Sequence, residues 1–269
     1  MQQEDNSDLE ASKKEESLRR FFVEEIIGTT DAICITGKEA RHITNVLRMK
    51  KGEKLILMDG KGQLFEATIE EPHYKEVKVK INKSIPAPPP SPIEISLAQA
   101  LTKARPMDYL IQKITELGIS SIHLFSSQRT LIRLKPDHLE NKMGHWMEIM
   151  KSACKQCGRA ILPNLNPPLP FEEIIKNAPH KKTLKLLLWE NEDKTDLKKL
   201  LRSMSPLPRI FAIAGPEGGF TPNEINLARE AGFHIISLGN RILRAETAAV
   251  SLLSIIQYEW GDLNLSYCQ

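Results

Sequence analysis

Residues 209–224 read Arg-Ile-Phe-Ala-Ile-Ala-Gly-Pro-Glu-Gly-Gly-Phe-Thr-Pro-Asn-Glu, and this stretch decides the fold class. RIFAIA (209–214) is a short apolar run of the kind that forms a strand covered on both faces. Thr221-Pro222-Asn223-Glu224 supplies an N-cap, a proline at the first helical position and an acid at the third, which together open a helix. Gly215 to Phe220 is then a strand-to-helix turn. Working outward, the alternation repeats. IEISLAQA (93–100), SIHLF (121–125), LKLLLW (184–189) and FHIISLG (233–239) are predicted strands. One helix is expected near 107–117, stopping at Gly118, with Lys113 and Glu116 on one face. Another is expected from Asp137, with Glu140 at capping-box spacing, through Trp146, Ile149 and Ala153 to Gly158. The last, ETAAVSLLSIIQYE (246–259), is apolar nearly all round and is predicted to be buried. Strands alternating with helices imply an α/β domain whose sheet is mostly parallel and covered on both faces.

Upstream the pattern is different. KLILM (54–58) and QLFEATIE (63–70) flank Asp59-Gly60-Lys61-Gly62, a hairpin signal, and EVKVKIN (76–82) alternates charge with Val and Ile. These short strands predict a small β-barrel over residues 18–84, with GKEARHITNVLRMKKGE (37–53) forming a helical turn and a basic exit. SIPAPPPSP (84–92) holds five prolines in nine positions, so residues 85–92 read as a stiff linker to a second domain at 93–269. Residues 1–17, rich in Glu, Ser, Gln and Lys with no apolar period, read as a disordered acidic tail.

Composition narrows the partners. At 269 residues, 41% hydrophobic and 26% charged, the chain has the make-up of an ordinary globular protein. No run approaches the roughly 20 apolar residues of a membrane helix, and the polar N-terminus is not a secretory signal. Four cysteines do not make a disulfide framework, so no membrane role and a reducing cytoplasm are the expectation. The tail carries two Lys and six acids, −4, so the body carries 3 − (−4) = +7. Residues 103–159 hold ten Lys and Arg against five acids. Such a face suits a polyanion, because cations that neutralise phosphates release counterions; a solvated face is the alternative.

Two segments stand apart from scaffold. GPEGGF (215–220) follows a strand, where ligands bind in open α/β sheets, and its glycines let backbone amides approach a ligand. It is neither a P-loop nor a GxGxxG fingerprint, and a tight turn alone is the other reading. LGNRILRAETA (238–248) leads from a strand into the apolar helix. Its two Arg and one Glu are costly to desolvate unless they pair, capping the helix, or serve a ligand.

Taken together, RRFF (19–22), HITNVLR (42–48), DGKGQLF (59–65), QKITELG (112–118), CKQCGR (154–159), GPEGGF and LGNRILRAETA occur in an order that resembles the RsmE-type ribosomal RNA uridine-N3 methyltransferases of the SPOUT superfamily. The match covers nearly all of 18–266. The resemblance implies an N-terminal PUA-like RNA-binding barrel and a C-terminal α/β SPOUT domain with a deep trefoil knot, acting as a homodimer. It implies S-adenosylmethionine as cofactor and 16S rRNA of the small subunit as partner, with no metal. Three loops would cradle the cofactor, through Leu188, Gly215, Glu217, Gly218, Gly219, Leu238, Gly239, Ile242 and Leu243. Arg244 would stabilise charge developing on the uracil carbonyls. Glu246 would take the N3 proton or hold Arg244. RNA contacts are expected from Arg20, His42, Arg48, Arg129 and Arg159, with Arg19 and Arg133 as further candidates; a core or surface histidine is the other reading of His42.

Cys154 and Cys157 form a CxxC at a helix end, without the second ligand pair a zinc site wants or the helix-start position of a redox motif. Lys155 departs from the Glu usual in the family and is expected to alter a local ion pair. Ribose 2′-O-methylation is disfavoured because ILRAETA stands where such relatives carry an Asn-Val-Ser stretch. A binding-only assembly protein is disfavoured because both C-terminal motifs are intact.

Overall fold

A computed structural model describes residues 18–23, 32–132, 135–192 and 195–263; the acidic tail and Arg133 lie outside the described residues. The chain divides into two compact units, residues 1–89 with 154–162, and residues 90–153 with 163–269.

The first unit contains β1 (Arg20–Phe22), β2 (Ala32–Thr36), α1 (Gly37–Arg41) continued by a π-turn over His42–Val46, β3 (Lys54–Met58), β4 (Leu64–Pro72) and β5 (Glu76–Ile85). The sheet order is β1-β3-β4-β5-β2, with β1 parallel to β3 and the other pairs antiparallel. The β3–β4 hairpin forms where Asp59 was expected to turn the chain. Its Oδ1 accepts from the N–H groups of Lys61 (2.8 Å) and Gln63 (2.9 Å), and Gly60 takes φ +72°. Along β5, Val77 and Val79 are buried while Glu76, Lys78 and Lys80 are exposed. The edge strands do not pair with each other among the described residues, yet Phe21 of β1, Val23 just beyond it, and Ile33 and Ile35 of β2 enter one core with Leu55, Leu57 and Ile69. β5 runs on to Ile85, and Ala87 packs near Ile56, Met58 and Ala160, so the proline-rich stretch is anchored at its start.

The second unit contains β6 (Glu94–Ala100), α2 (Ala104–Glu116), β7 (Ser121–Ser126), α3 (Pro136–Cys157, its last turn falling in the first unit), β8 (Asn164–Pro170) and α4 (Phe171–Lys176). β9 (Thr183–Leu188), α5 (Leu197–Ser203), β10 (Arg209–Ala214), α6 (Pro222–Glu230), β11 (His234–Ile236) and α7 (Ala245–Glu259) follow. All six strands are parallel, in the order β11-β9-β10-β6-β7-β8. On one face Ala98, Ala100 and Ile213 pack with Phe171, Phe220 and Ile225. Ile95 and Leu97 alternate with those alanines and are also fully buried, as a doubly covered strand requires. The α7 helix packs on α2.

Three details differ from the sequence reading. β8 reads NLNPPLP and gave no strand signal, because proline lacks an amide donor; it is tolerated here because β8 is an edge. The α3 helix starts at Pro136, one residue ahead of Asp137. And α7 is only half buried: Ala249, Leu252, Leu253 and Ile256 face inward, whereas Ile255 and Tyr258 are exposed. An all-round apolar helix therefore carries an outer apolar face that the described residues do not cover.

Candidate functional site

Parallel neighbours end on the same side of a sheet, so the loops after β9, β10 and β11 converge. They enclose a cavity of about 480 Å³, within the ~300–1,000 Å³ span of small-ligand sites. Its lining is Leu188, Trp189 and Glu190 from the first loop, and Ala214 to Glu217, Gly219 and Phe220 from the second. The third gives Ser237 to Gly239 and Arg241 to Glu246, with Ala248 beyond and Lys103 and Pro106 from the start of α2.

The second loop is held at several points. Phe220 is buried, stacked on Phe125 (centroids 6.4 Å apart) and close to Phe171 (5.3 Å). A buried Phe contributes about 1.5–3 kcal/mol, so the loop has a firm root. A Cβ on Gly215 would stand 2.8 Å from that ring, which is why the turn needs glycine there. Gly219 sits at φ +67° and donates its N–H to the Pro216 carbonyl (3.0 Å). The Glu217 carboxylate accepts from the Lys103 N–H (3.2 Å), tying the loop to α2. The capping box predicted at Thr221 and Glu224 is formed, and Glu224 also accepts from the Gln128 N–H (3.0 Å).

The third loop turns at Gly239, φ +94°, and enters α7 with Arg244 as N-cap residue and Glu246 in the first turn. Arg244 is exposed and Glu246 half-buried. They form no ion pair with each other or with any other described residue, so the helix-capping Arg–Glu pair is not what the structure holds.

Of the nine residues expected at a cofactor, Leu188, Gly215, Glu217, Gly219, Leu238, Gly239, Ile242 and Leu243 line the cavity. Gly218 does not. It lies against Arg129, where an added Cβ would come within 3.1 Å of the Arg129 carbonyl oxygen, and its own carbonyl accepts from the Arg129 guanidinium (3.3 Å). Arg244 and Glu246 are both in the lining. Lys103, Trp189, Glu190 and Arg241 were missed. Trp189 closes the strand predicted at 184–189 and Glu190 follows it, so both sit at the same strand end as Leu188. Lys103 is 114 residues from its partner Glu217 and had no local signal.

The expected RNA contacts Arg20, His42, Arg48 and Arg159 all fall in the first unit, while Arg129 is in the second. Arg20 donates to the Lys155 carbonyl (3.3 Å), and Lys155 pairs with Glu39 (2.8 Å). His42 stands 3.9 Å from Glu39 and edge-on to Phe21. Arg19 and Arg48 are exposed, Arg48 at φ +52°. Cys154 is fully buried, and burial pushes its thiol up to about 12, while Cys157 is exposed and unbridged. No group of metal-ligating side chains occurs among the described residues.

Residues 89–257 match the RNA methyltransferase domain family, and residues 35–82 match the RNA methyltransferase PUA domain family. The ribosomal RNA small subunit methyltransferase E of Synechocystis is 32% identical over 87% of this chain and 74% of its own length. That of Bacillus subtilis is 29% identical over 90% and 97%. The crystal structure of a ribosomal RNA small subunit methyltransferase E from Neisseria gonorrhoeae bound to S-adenosylmethionine superposes with a TM-score of 0.84 at 31% identity, covering 92% of this chain and all of that one (100%). A methyltransferase from Legionella pneumophila in complex with the same cofactor gives 0.85 at 35% identity, over 91% and 99%.

Proposed function

Because this chain belongs to the RNA methyltransferase family that includes the ribosomal RNA small subunit methyltransferases E, we propose that it methylates N3 of one specific uridine in 16S rRNA. It is an S-adenosylmethionine-dependent methyltransferase of small-subunit ribosomal RNA. The observation that carries the finer reading is the cavity at the ends of β9, β10 and β11, with Arg244 and Glu246 in its wall and unpaired.

The residues present fit the cofactor. Gly219 and Gly239 hold left-handed backbone that brings main-chain groups to the cavity, Leu188, Leu238 and Leu243 offer apolar surface to a purine, and acids and cations both reach the lining. When bound, S-adenosylmethionine supplies a sulfonium methyl for in-line transfer. The chain's own contribution is then to place the acceptor nitrogen, which is where most of the rate enhancement of a bimolecular transfer lies. Arg244 donates to a uracil carbonyl and stabilises the negative charge that grows as N3 loses its proton. The N-terminus of α7 favours the same charge. Glu246, which makes no ion pair with Arg244, accepts the proton. Arg20, His42, Arg48, Arg129 and Arg159 hold the RNA backbone.

The exposed Ile255 and Tyr258 of α7 support a homodimer formed through that face, and the strand order β11-β9-β10 suits the trefoil knot of the family. The setting is the cytoplasm, where small subunits are assembled; no described helix is long and apolar enough to cross a membrane.

The test incubates small subunits from a strain lacking this gene with the purified protein and labelled cofactor, followed by reverse transcription. Methylation at N3 blocks the Watson–Crick edge and gives a new stop beside one uridine. Incorporation without a stop points to ribose methylation instead. No incorporation, with competent cofactor and subunits, leaves a binding-only protein.

A further inference from the structure

Besides Glu217 and Glu246, the cavity wall holds a third carboxylate, Glu190. Glu190 lines the cavity yet has no hydrogen bond or ion pair among the described residues. It is not loosely placed. The Glu192 N–H donates to the Trp189 carbonyl (3.3 Å), so Trp189 to Glu192 form a turn with Glu190 at its second position. Before the turn, the Trp189 N–H bonds the Ile236 carbonyl (2.9 Å), extending the β9–β11 pairing by one residue. Arg229, in the last turn of α6, fastens both ends. Its guanidinium lies 6.0 Å from the Trp189 ring centroid, and Nη2 donates to the buried Glu192 carboxylate (3.2 Å). The Glu190 carboxylate lies directly against Gly219, where an added Cβ would stand 2.8 Å from Glu190 Oε1.

We propose that Glu190 reads the vicinal hydroxyls of the cofactor's ribose, and that Arg229 is a positioning residue acting on it through the Trp189–Glu192 turn. This rests on the cavity being the S-adenosylmethionine site. An ionised carboxylate only accepts hydrogen bonds, and a vicinal diol presents two donors to its two oxygens. The placement favours the nucleoside over the amino-acid end of the ligand. Glu190 follows the apolar Leu188 by two residues and faces Gly219 beside Phe220, whereas the lining cations Lys103 and Arg241 come from other segments and suit the cofactor's carboxylate.

Calorimetry with S-adenosylhomocysteine and with 5′-methylthioadenosine, which keeps the ribose but lacks the amino-acid end, tests this. Melting curves check that each variant is folded. Glu190→Ala is expected to weaken both ligands by the same factor, about 10- to 100-fold for a charged hydrogen bond. Arg229→Ala weakens both by a smaller factor and raises KM for the cofactor while kcat at saturation holds. Arg229→Lys, which keeps the charge toward Glu192, recovers part of that loss. Unchanged methylthioadenosine affinity in Glu190→Ala overturns the ribose assignment; if S-adenosylhomocysteine alone is weakened, the contact is with the amino-acid end. Arg229→Ala with wild-type affinity removes the positioning role. Failure of the wild-type protein to bind either ligand strikes instead at the cavity as the cofactor site.

Discussion

Replacing Glu224 by alanine tests whether the second loop is held as described. Glu224 is only 2% exposed, and its carboxylate accepts from the Thr221 N–H (2.8 Å), the Thr221 hydroxyl (3.0 Å) and the Gln128 N–H (3.0 Å). Truncation removes the acid half of the capping box: the Thr221 and Gln128 N–H groups lose their acceptor, at about 1–3 kcal/mol each where water cannot replace it, while the Thr221 hydroxyl keeps the bond from the N–H of residue 224. The Gln128 side of the contact is closer to solvent, which puts the total near the low end, about 3 kcal/mol. For a unit of this size that corresponds to a fall in Tm of roughly 6–12 °C. Glu224→Gln keeps one acceptor oxygen but turns its NH₂ toward a second donor, so it recovers no more than about half. Trp146, Trp189 and Trp260 all belong to the second unit, so tryptophan fluorescence during urea unfolding reads that unit selectively. A loss below about 0.5 kcal/mol for alanine, or wild-type stability for glutamine, would refute the reasoning.

Arg244→Ala should lower kcat by about 10²–10³ with cofactor affinity held, as expected when one donor to a developing anion is removed; single-turnover kinetics with calorimetry separates the two quantities. Lys155→Glu sets like charges at the contact with Glu39, where both side chains are 20% exposed, and should destabilise the first unit by about 2 kcal/mol. A compensating Glu39→Lys should restore protection of the β4–β5 amides against hydrogen exchange. Cys154 keeps its proton to about pH 12, so iodoacetamide at pH 8 should label Cys157 well before Cys154, as mass spectrometry would show. The same raised thiol has a consequence for stability. The unfolded chain releases this proton above about pH 9 while the folded chain retains it, so this group lowers stability by about 1.4 kcal/mol per pH unit between 9 and 12. Ile255→Asp with Tyr258→Asp should leave a folded monomer by sedimentation, if α7 forms the dimer face.

The parallel sheet and the converging loops were readable because their signals are local. RIFAIA is an apolar run with a helix start beyond it, and Gly215 to Phe220 could only be the turn between. What the sequence hid depends on distant partners. Residues 154–162 continue a helix of one unit but cluster with the other, through contacts such as Arg20 to Lys155, 135 positions apart. Lys103 enters the cavity wall because Glu217 bonds its amide, and nothing near Lys103 announces this. Gly218 looked like its glycine neighbours, yet only the fold shows it turned toward Arg129. The apolar run of α7 read as a helix buried all round, yet Ile255 and Tyr258 stay exposed among the described residues, since hydrophobicity does not record who covers it.

The two edges of the six-stranded sheet bear on the protein's behaviour at high concentration. An open sheet edge invites a strand from another molecule, which is one route to aggregation. Here one edge is β8, with Pro167, Pro168 and Pro170 among its seven residues, and the other is β11, three residues long. Adjacent prolines leave gaps in the donor row whichever way the strand is approached, and three residues give an incoming strand little to hold. Self-association by strand addition is therefore discouraged at both ends of this sheet.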